Sequence, residues 1–202
     1  LIKAVCYILN GSIDPSLELN GLITTLVFMG LTCAFMVKEL ERPDRLFYVI
    51  LRPQWNSWLV RGAYIITGFG GIVTLKMLDN YFKLGLSWLW IPGMVFAILG
   101  AIYTAFLFNQ ARARDLWQTP IVSAIHMLVH AVMAGSIVMM VISPDTIEWM
   151  AKSLFCGIVL SMVIIAKEIL LPHDTKDTRK AIQLMTKGYY SKHFWSGVMI
   201  GY

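Results

Sequence analysis

Charged side chains are scarce in this sequence. Lys and Arg number 17 and Asp and Glu 12 among 202 residues, or 14%, where an average soluble domain carries about a quarter. That scarcity excludes an ordinary soluble domain, whose surface needs more polar cover than these side chains supply. Cysteine is scarcer still: Cys6, Cys33 and Cys156 stand far apart, two of them inside apolar runs. An iron–sulfur cluster needs several closely placed thiolates, so these read as small packed residues and no metal site is expected. Histidine is confined to His126, His130, His173 and His193. A bis-histidine haem needs ligands on opposing helices at matching depth, and a single apolar run holds histidine, so haem is not expected either. The chain also lacks an internal repeat of the kind that marks many transporters, and a signal-peptide pattern.

What is abundant is apolar sequence, 57% of residues, with a mean hydropathy of +0.66. The gaps between charges delimit five runs of near-bilayer length, at about 20–38, 60–78, 87–108, 119–142 and 153–171. The fold class expected is an all-α integral membrane protein, a transmembrane helix bundle forming one membrane domain over 1–202. Residues 1–9 (LIKAVCYIL) read as the tail of an earlier helix, and the run at 194–202 as the start of a further one. The expectation is an internal piece of a longer subunit.

Basic residues set the orientation. Lys38, Arg42, Arg45, Arg52 and Arg61 surround the loop after the first span. Arg112 and Arg114 lie after the third, and Lys167, Lys176, Arg179, Lys180, Lys187 and Lys192 around and after the fifth. The opposite side has only Lys3, Lys76, Lys83 and Lys152. Loops 38–59, 109–118 and 172–193 are therefore expected in the cytoplasm, in a multi-pass protein of the inner (plasma) membrane. The net charge of +5 reflects this topology and contact with anionic lipid headgroups, and gives no reason to expect nucleic acid.

Within the spans, a few polar residues stand out. His126 and His130 are four apart and share a helix face. They read either as interior hydrogen-bonded histidines or as part of a proton pathway, because an ionisable group inside a span is costly. Arg61 and Tyr64 recur along one face of the second span, at its basic end, and Arg61 keeps its charge in any setting. Lys76 and Asp79 stand three apart at the other end of that span.

The order of residues in three stretches carries a resemblance. KELERPDRLFYVILRPQWNSWLVRGAYIITGFGG (38–71), LFNQARARDLWQTP (107–120) and GYYSKHFWSGVMIGY (188–202) are similar to loop-and-helix motifs of the NrfD-like family, which includes the polysulfide reductase membrane subunit. The resemblance implies that the five spans are helices two to six of an eight-helix subunit. It also implies a role: a membrane anchor of a multisubunit respiratory oxidoreductase, exchanging electrons between membrane quinone (menaquinone or ubiquinone) and an iron–sulfur cluster subunit. Beyond that partner would lie a molybdopterin enzyme or a multihaem cytochrome. In relatives the quinone headgroup lies near the outer face. Here the outer segment KMLDNYFKLGLSWLWIP (76–92) offers Asp79 to handle a proton, Tyr81 to donate a hydrogen bond, and Trp88 and Trp90 to wall a ring. An aromatic belt at the headgroup boundary accounts for the same residues. Arg61, Tyr64, His126 and His130 form the expected proton pathway. The competing function is an ion or small-molecule transporter bundle using the same basic side chains.

Overall fold

A computed structural model describes residues 15–39, 51–110, 120–170 and 176–201. The charged stretch at 40–50, the Arg112–Arg114 segment and Cys6 lie outside the described residues. Among the described residues seven α-helices follow in order: α1 Pro15–Glu39, α2 Trp58–Phe82, α3 Trp90–Gln110, α4 Pro120–Ile142, α5 Ile147–Leu170, α6 Lys176–Thr186 and α7 Ser191–Gly201. Short 3₁₀ turns, Ser87–Leu89 and Pro144–Thr146, precede α3 and α5. The described residues form helices, turns and bends, with no strand. The protein is an all-α membrane helix bundle, and α1 to α5 each contain a segment long and apolar enough to cross a bilayer.

From α1 to α5 the helices pack in sequence order: α1 on α2, α2 on α3, α3 on α4, and, most extensively, α4 on α5. Short connections at 83–89 and 143–146 require antiparallel neighbours. The N-terminus of α1, the C-termini of α2 and α4 and the starts of α3 and α5 therefore share one end. An open cavity of about 320 Å³ there is lined by Leu17 and Asn20 of α1 and by residues 142–146. At the opposite end the rings of Trp58 and Phe106 stack at 4.5 Å, tying the start of α2 to the end of α3.

Five threonine hydroxyls inside the spans are satisfied locally. Thr24, Thr25, Thr32, Thr67 and Thr74 each donate to the carbonyl four residues earlier, at 2.6 to 2.8 Å. In a medium without water this keeps the polar atom off the lipid. The outward faces carry large apolar side chains such as Phe28, Phe35, Phe155 and Val163. A soluble protein would bury these; a bilayer solvates them.

Helix ends differ from the sequence-read boundaries for physical reasons. α5 starts at Ile147, upstream of 153, because Pro144 initiates a 3₁₀ turn and Glu148 and Lys152 pair on the helix surface at 2.6 Å. α2 runs on to Phe82, where Lys83 adopts a left-handed conformation (φ 54°) and its N–H donates to the Asp79 carbonyl at 2.7 Å. The first helix takes in Pro15 to Asn20, which brings Glu18 into the bundle.

Candidate functional site

Two polar centres lie inside this apolar framework. The first is at the end shared by α1 and α2. Lys76 Nζ donates to Asp79 Oδ2 at 2.7 Å and stands 3.1 Å from Glu18 Oε1. All three side chains are enclosed, with 8% of Lys76, 8% of Asp79 and 14% of Glu18 accessible. Asp79 Oδ1 accepts the backbone N–H of Leu86 at 2.9 Å, which folds the α2–α3 turn back over the carboxylate. The Trp90 ring lies 5.6 Å from Lys76 Nζ and closes the cluster from α3. One ammonium thus serves two carboxylates, and a backbone amide neutralises part of what remains.

The residues expected to line a ring at this end divide into two sets. Asp79 and Trp90 belong to the enclosed cluster. Tyr81 and Trp88 face outward, 81% and 61% accessible, beside exposed Phe82 and Leu84. They form an apolar ledge at the rim. Sequence reading missed Glu18, because the first span was begun at 20. The signal was present, since an acid at the start of one span lies level with Lys76 near the end of an antiparallel neighbour.

The second centre runs along the α4–α5 interface. His126 Nε2 lies 2.8 Å and His130 Nε2 3.1 Å from the single Ser161 Oγ, and the two imidazoles meet edge to face at 4.4 Å. His126 and Ser161 are buried, while His130 reaches the bundle surface. At 1.5 Å per residue, His130 sits about 15 Å in from the start of α4, near the middle of a bilayer core. Ser123, one turn before His126, is 1% accessible, and its hydroxyl has no hydrogen-bond partner among the described residues. Farther along, Ser136 donates to the Val132 carbonyl and stands 3.3 Å from Ser153 Oγ. Ser153, Gly157 and Ser161 recur every four residues on α5, a small-residue stripe that lets the helices approach. That spacing marks a close helix interface but does not tell which of its hydroxyls the histidines meet.

Arg61 and Tyr64 occupy a different place. Arg61 Nε donates to the Trp55 carbonyl at 2.6 Å, its guanidinium lies 4.7 Å from the Trp58 ring centroid, and Trp55 packs at 4.9 Å on Tyr64. This group closes the α2 end that faces away from the Lys76 cluster. The four residues expected to form one pathway thus lie on two helix pairs, α2–α3 and α4–α5. Among the described residues no group of three or more His, Cys, Asp or Glu could hold a metal ion.

Ser161→Ala should loosen the α4–α5 interface by about 1–3 kcal/mol, because it removes a hydroxyl shared by the buried His126 ring and the His130 ring at the bundle surface. A thermal unfolding midpoint in detergent equal to that of the parent would remove the serine from the stabilising network.

The family model described as Polysulphide reductase, NrfD, matches residues 5–202. The chain belongs to the NrfD family. It is a membrane subunit of the kind that anchors molybdoenzyme-type complexes, a family whose members partner in general with iron–sulfur and molybdoenzyme subunits. No curated protein and no solved structure matches the chain. The three stretches that resembled NrfD-like motifs all fall within the matched region.

Proposed function

We propose that this NrfD-family chain is the quinone-interacting anchor of a respiratory oxidoreductase. It exchanges electrons between membrane menaquinone or ubiquinone and an iron–sulfur subunit, which leads on to a molybdopterin enzyme or multihaem cytochrome. The observation that carries the reading is the enclosed Glu18–Lys76–Asp79 cluster beside an exposed aromatic ledge. Ionisable groups persist inside a membrane protein where function requires them, and here they adjoin an apolar surface open to lipid.

The residues fit a quinone in kind. Tyr81, Phe82, Leu84 and Trp88 supply an apolar wall, and the Tyr81 hydroxyl supplies a hydrogen-bond donor at the rim. Behind it stand the Lys76 ammonium and the Asp79 carboxylate, a proton donor and a proton acceptor paired at 2.7 Å, with the Trp90 ring 5.6 Å from Lys76 Nζ. The bound quinone supplies the two-electron, two-proton chemistry; the chain orients it and keeps protons within reach. On this reading the Lys- and Arg-rich end lies in the cytoplasm, in the inner membrane, and the cluster lies at the outer face. The His126–Ser161–His130 contacts, with Arg61 and Tyr64 at the inner mouth, would serve proton movement through the other half of the bilayer.

The test is steady-state quinone turnover in the assembled complex. Tyr81→Phe removes one hydrogen bond of about 0.5–1.5 kcal/mol and should slow turnover about two- to ten-fold with subunit stoichiometry intact. Turnover and quinone-site inhibitor affinity both unchanged in Tyr81→Phe and in Trp88→Leu would take the headgroup away from this ledge.

A further inference from the structure

The helical pair α6–α7 takes no part in the quinone reading, yet it is built as a binding surface. α6 is two-faced. At 100° per residue Lys180, Gln183 and Lys187 fall within about 60° of arc on one side, and Ala181, Ile182 and Met185 occupy the other. Lys187 continues the helix by donating its N–H to the Gln183 carbonyl at 3.0 Å. The chain then turns sharply at Gly188, where a Cβ would stand 2.7 to 3.1 Å from the Leu184 backbone, so a side chain there would clash with the preceding turn. Hydrogen bonds hold the turn, among them that of Ser191 N–H to the Gly188 carbonyl at 3.1 Å. Tyr190 N–H donates to the Leu184 carbonyl at 3.3 Å, and Ser191 Oγ and Trp195 Nε1 both donate to the Thr186 carbonyl, at 2.9 and 3.3 Å.

The result is an open cavity of about 390 Å³ lined by Lys180, Gln183, Leu184, Lys187 and Gly188. Among the described residues its walls carry two ammonium groups, an amide and an isobutyl group, and no carboxylate. Among the described residues neither lysine is in an ion pair. Exposed Tyr189, Tyr190 and Trp195 flank it, the residue types that settle at headgroup depth. The link from α5 is short. Residues 171–175 span at most about 17 Å, so α6 cannot leave the boundary of the membrane that α5 crosses.

We propose that Lys180, Gln183 and Lys187 form a headgroup site for an anionic phospholipid. The lysines meet the phosphodiester, the Gln183 amide a headgroup hydroxyl, and Leu184 the glycerol and first methylenes. A point-charge lysine pair binds phosphate without needing the planar fork of arginine. The site depends on α5 spanning the membrane and not on the quinone site.

The experiment is native mass spectrometry of the detergent-purified full complex, titrated with phosphatidylglycerol or phosphatidylcholine. The parent should hold phosphatidylglycerol in preference to phosphatidylcholine. Each lysine near a membrane surface contributes about 1 kcal/mol, so Lys180→Gln with Lys187→Gln should weaken the tightest phosphatidylglycerol about thirty-fold. Lys180→Arg with Lys187→Arg should keep the affinity and show that the fold tolerates change there. Equal retention of both lipids by the parent would overturn the proposal. So would unchanged phosphatidylglycerol affinity in the glutamine variant, including the case where that variant instead loses another subunit and so assigns the ridge to a protein.

Discussion

Lys76→Met is expected to be among the most damaging single substitutions in the bundle. The change is nearly isosteric, so the packing against Trp90 survives. It strips the only ammonium that stands within reach of both Glu18 and Asp79 among the described residues. Removing one partner of an enclosed charge group costs about 3–5 kcal/mol, whereas replacing the whole group by apolar residues is often neutral. The matched comparison is therefore Glu18→Gln, Lys76→Met and Asp79→Asn together, which should recover much of the loss. Yield of monodisperse complex and its thermal midpoint report both. A Lys76→Met protein as stable as the parent would mean that the cluster is solvated in the assembled complex.

The second large effect belongs to Gly157. A Cβ there would sit 2.5 Å from Met133 Cγ and 3.2 Å from its sulfur, across the most extensive helix interface of the chain. Gly157→Ala asks one flexible side chain to move. Gly157→Leu asks two helices to part, between the Ser136–Ser153 contact on one side and the His126–Ser161 contact on the other. Overpacking of a tight interface costs about 1–3 kcal/mol, and losing both polar contacts adds to it. The leucine variant should aggregate or unfold well below the alanine variant. Equal midpoints for the two would show that the helices can separate at no cost.

The helical fold was legible because nothing but a span explains runs of apolar residues that long. Lys76 and Asp79 were legible too, as charges near the end of a span, and so were His126 and His130 as a pair on one face. Their partners were not. Glu18 lay outside the boundary drawn from hydropathy, since an enclosed ion pair lets a helix begin on a carboxylate. Ser161 is one of many serines, and only packing reveals which hydroxyl a histidine meets. Tyr81 and Trp88 share a segment with Asp79 and Trp90, but the left-handed Lys83 and the Asp79–Leu86 bond turn the chain so that the segment divides between inside and rim. Periodicity cannot report that, because it ends where the helix does.

The single hydroxyl between the two histidines has a consequence of its own. Ser161 Oγ carries one hydrogen, so at most one of the two neighbouring Nε2 atoms can accept it; when one does, the other ring can bond the oxygen only through its own N–H. The arrangement is unsymmetrical whenever the serine hydrogen lies on this line, and rotation of one O–H bond exchanges the two senses. Reversal also requires both rings to swap tautomers. In that arrangement the sense of the chain holds until protons on two imidazoles and one hydroxyl have all been moved.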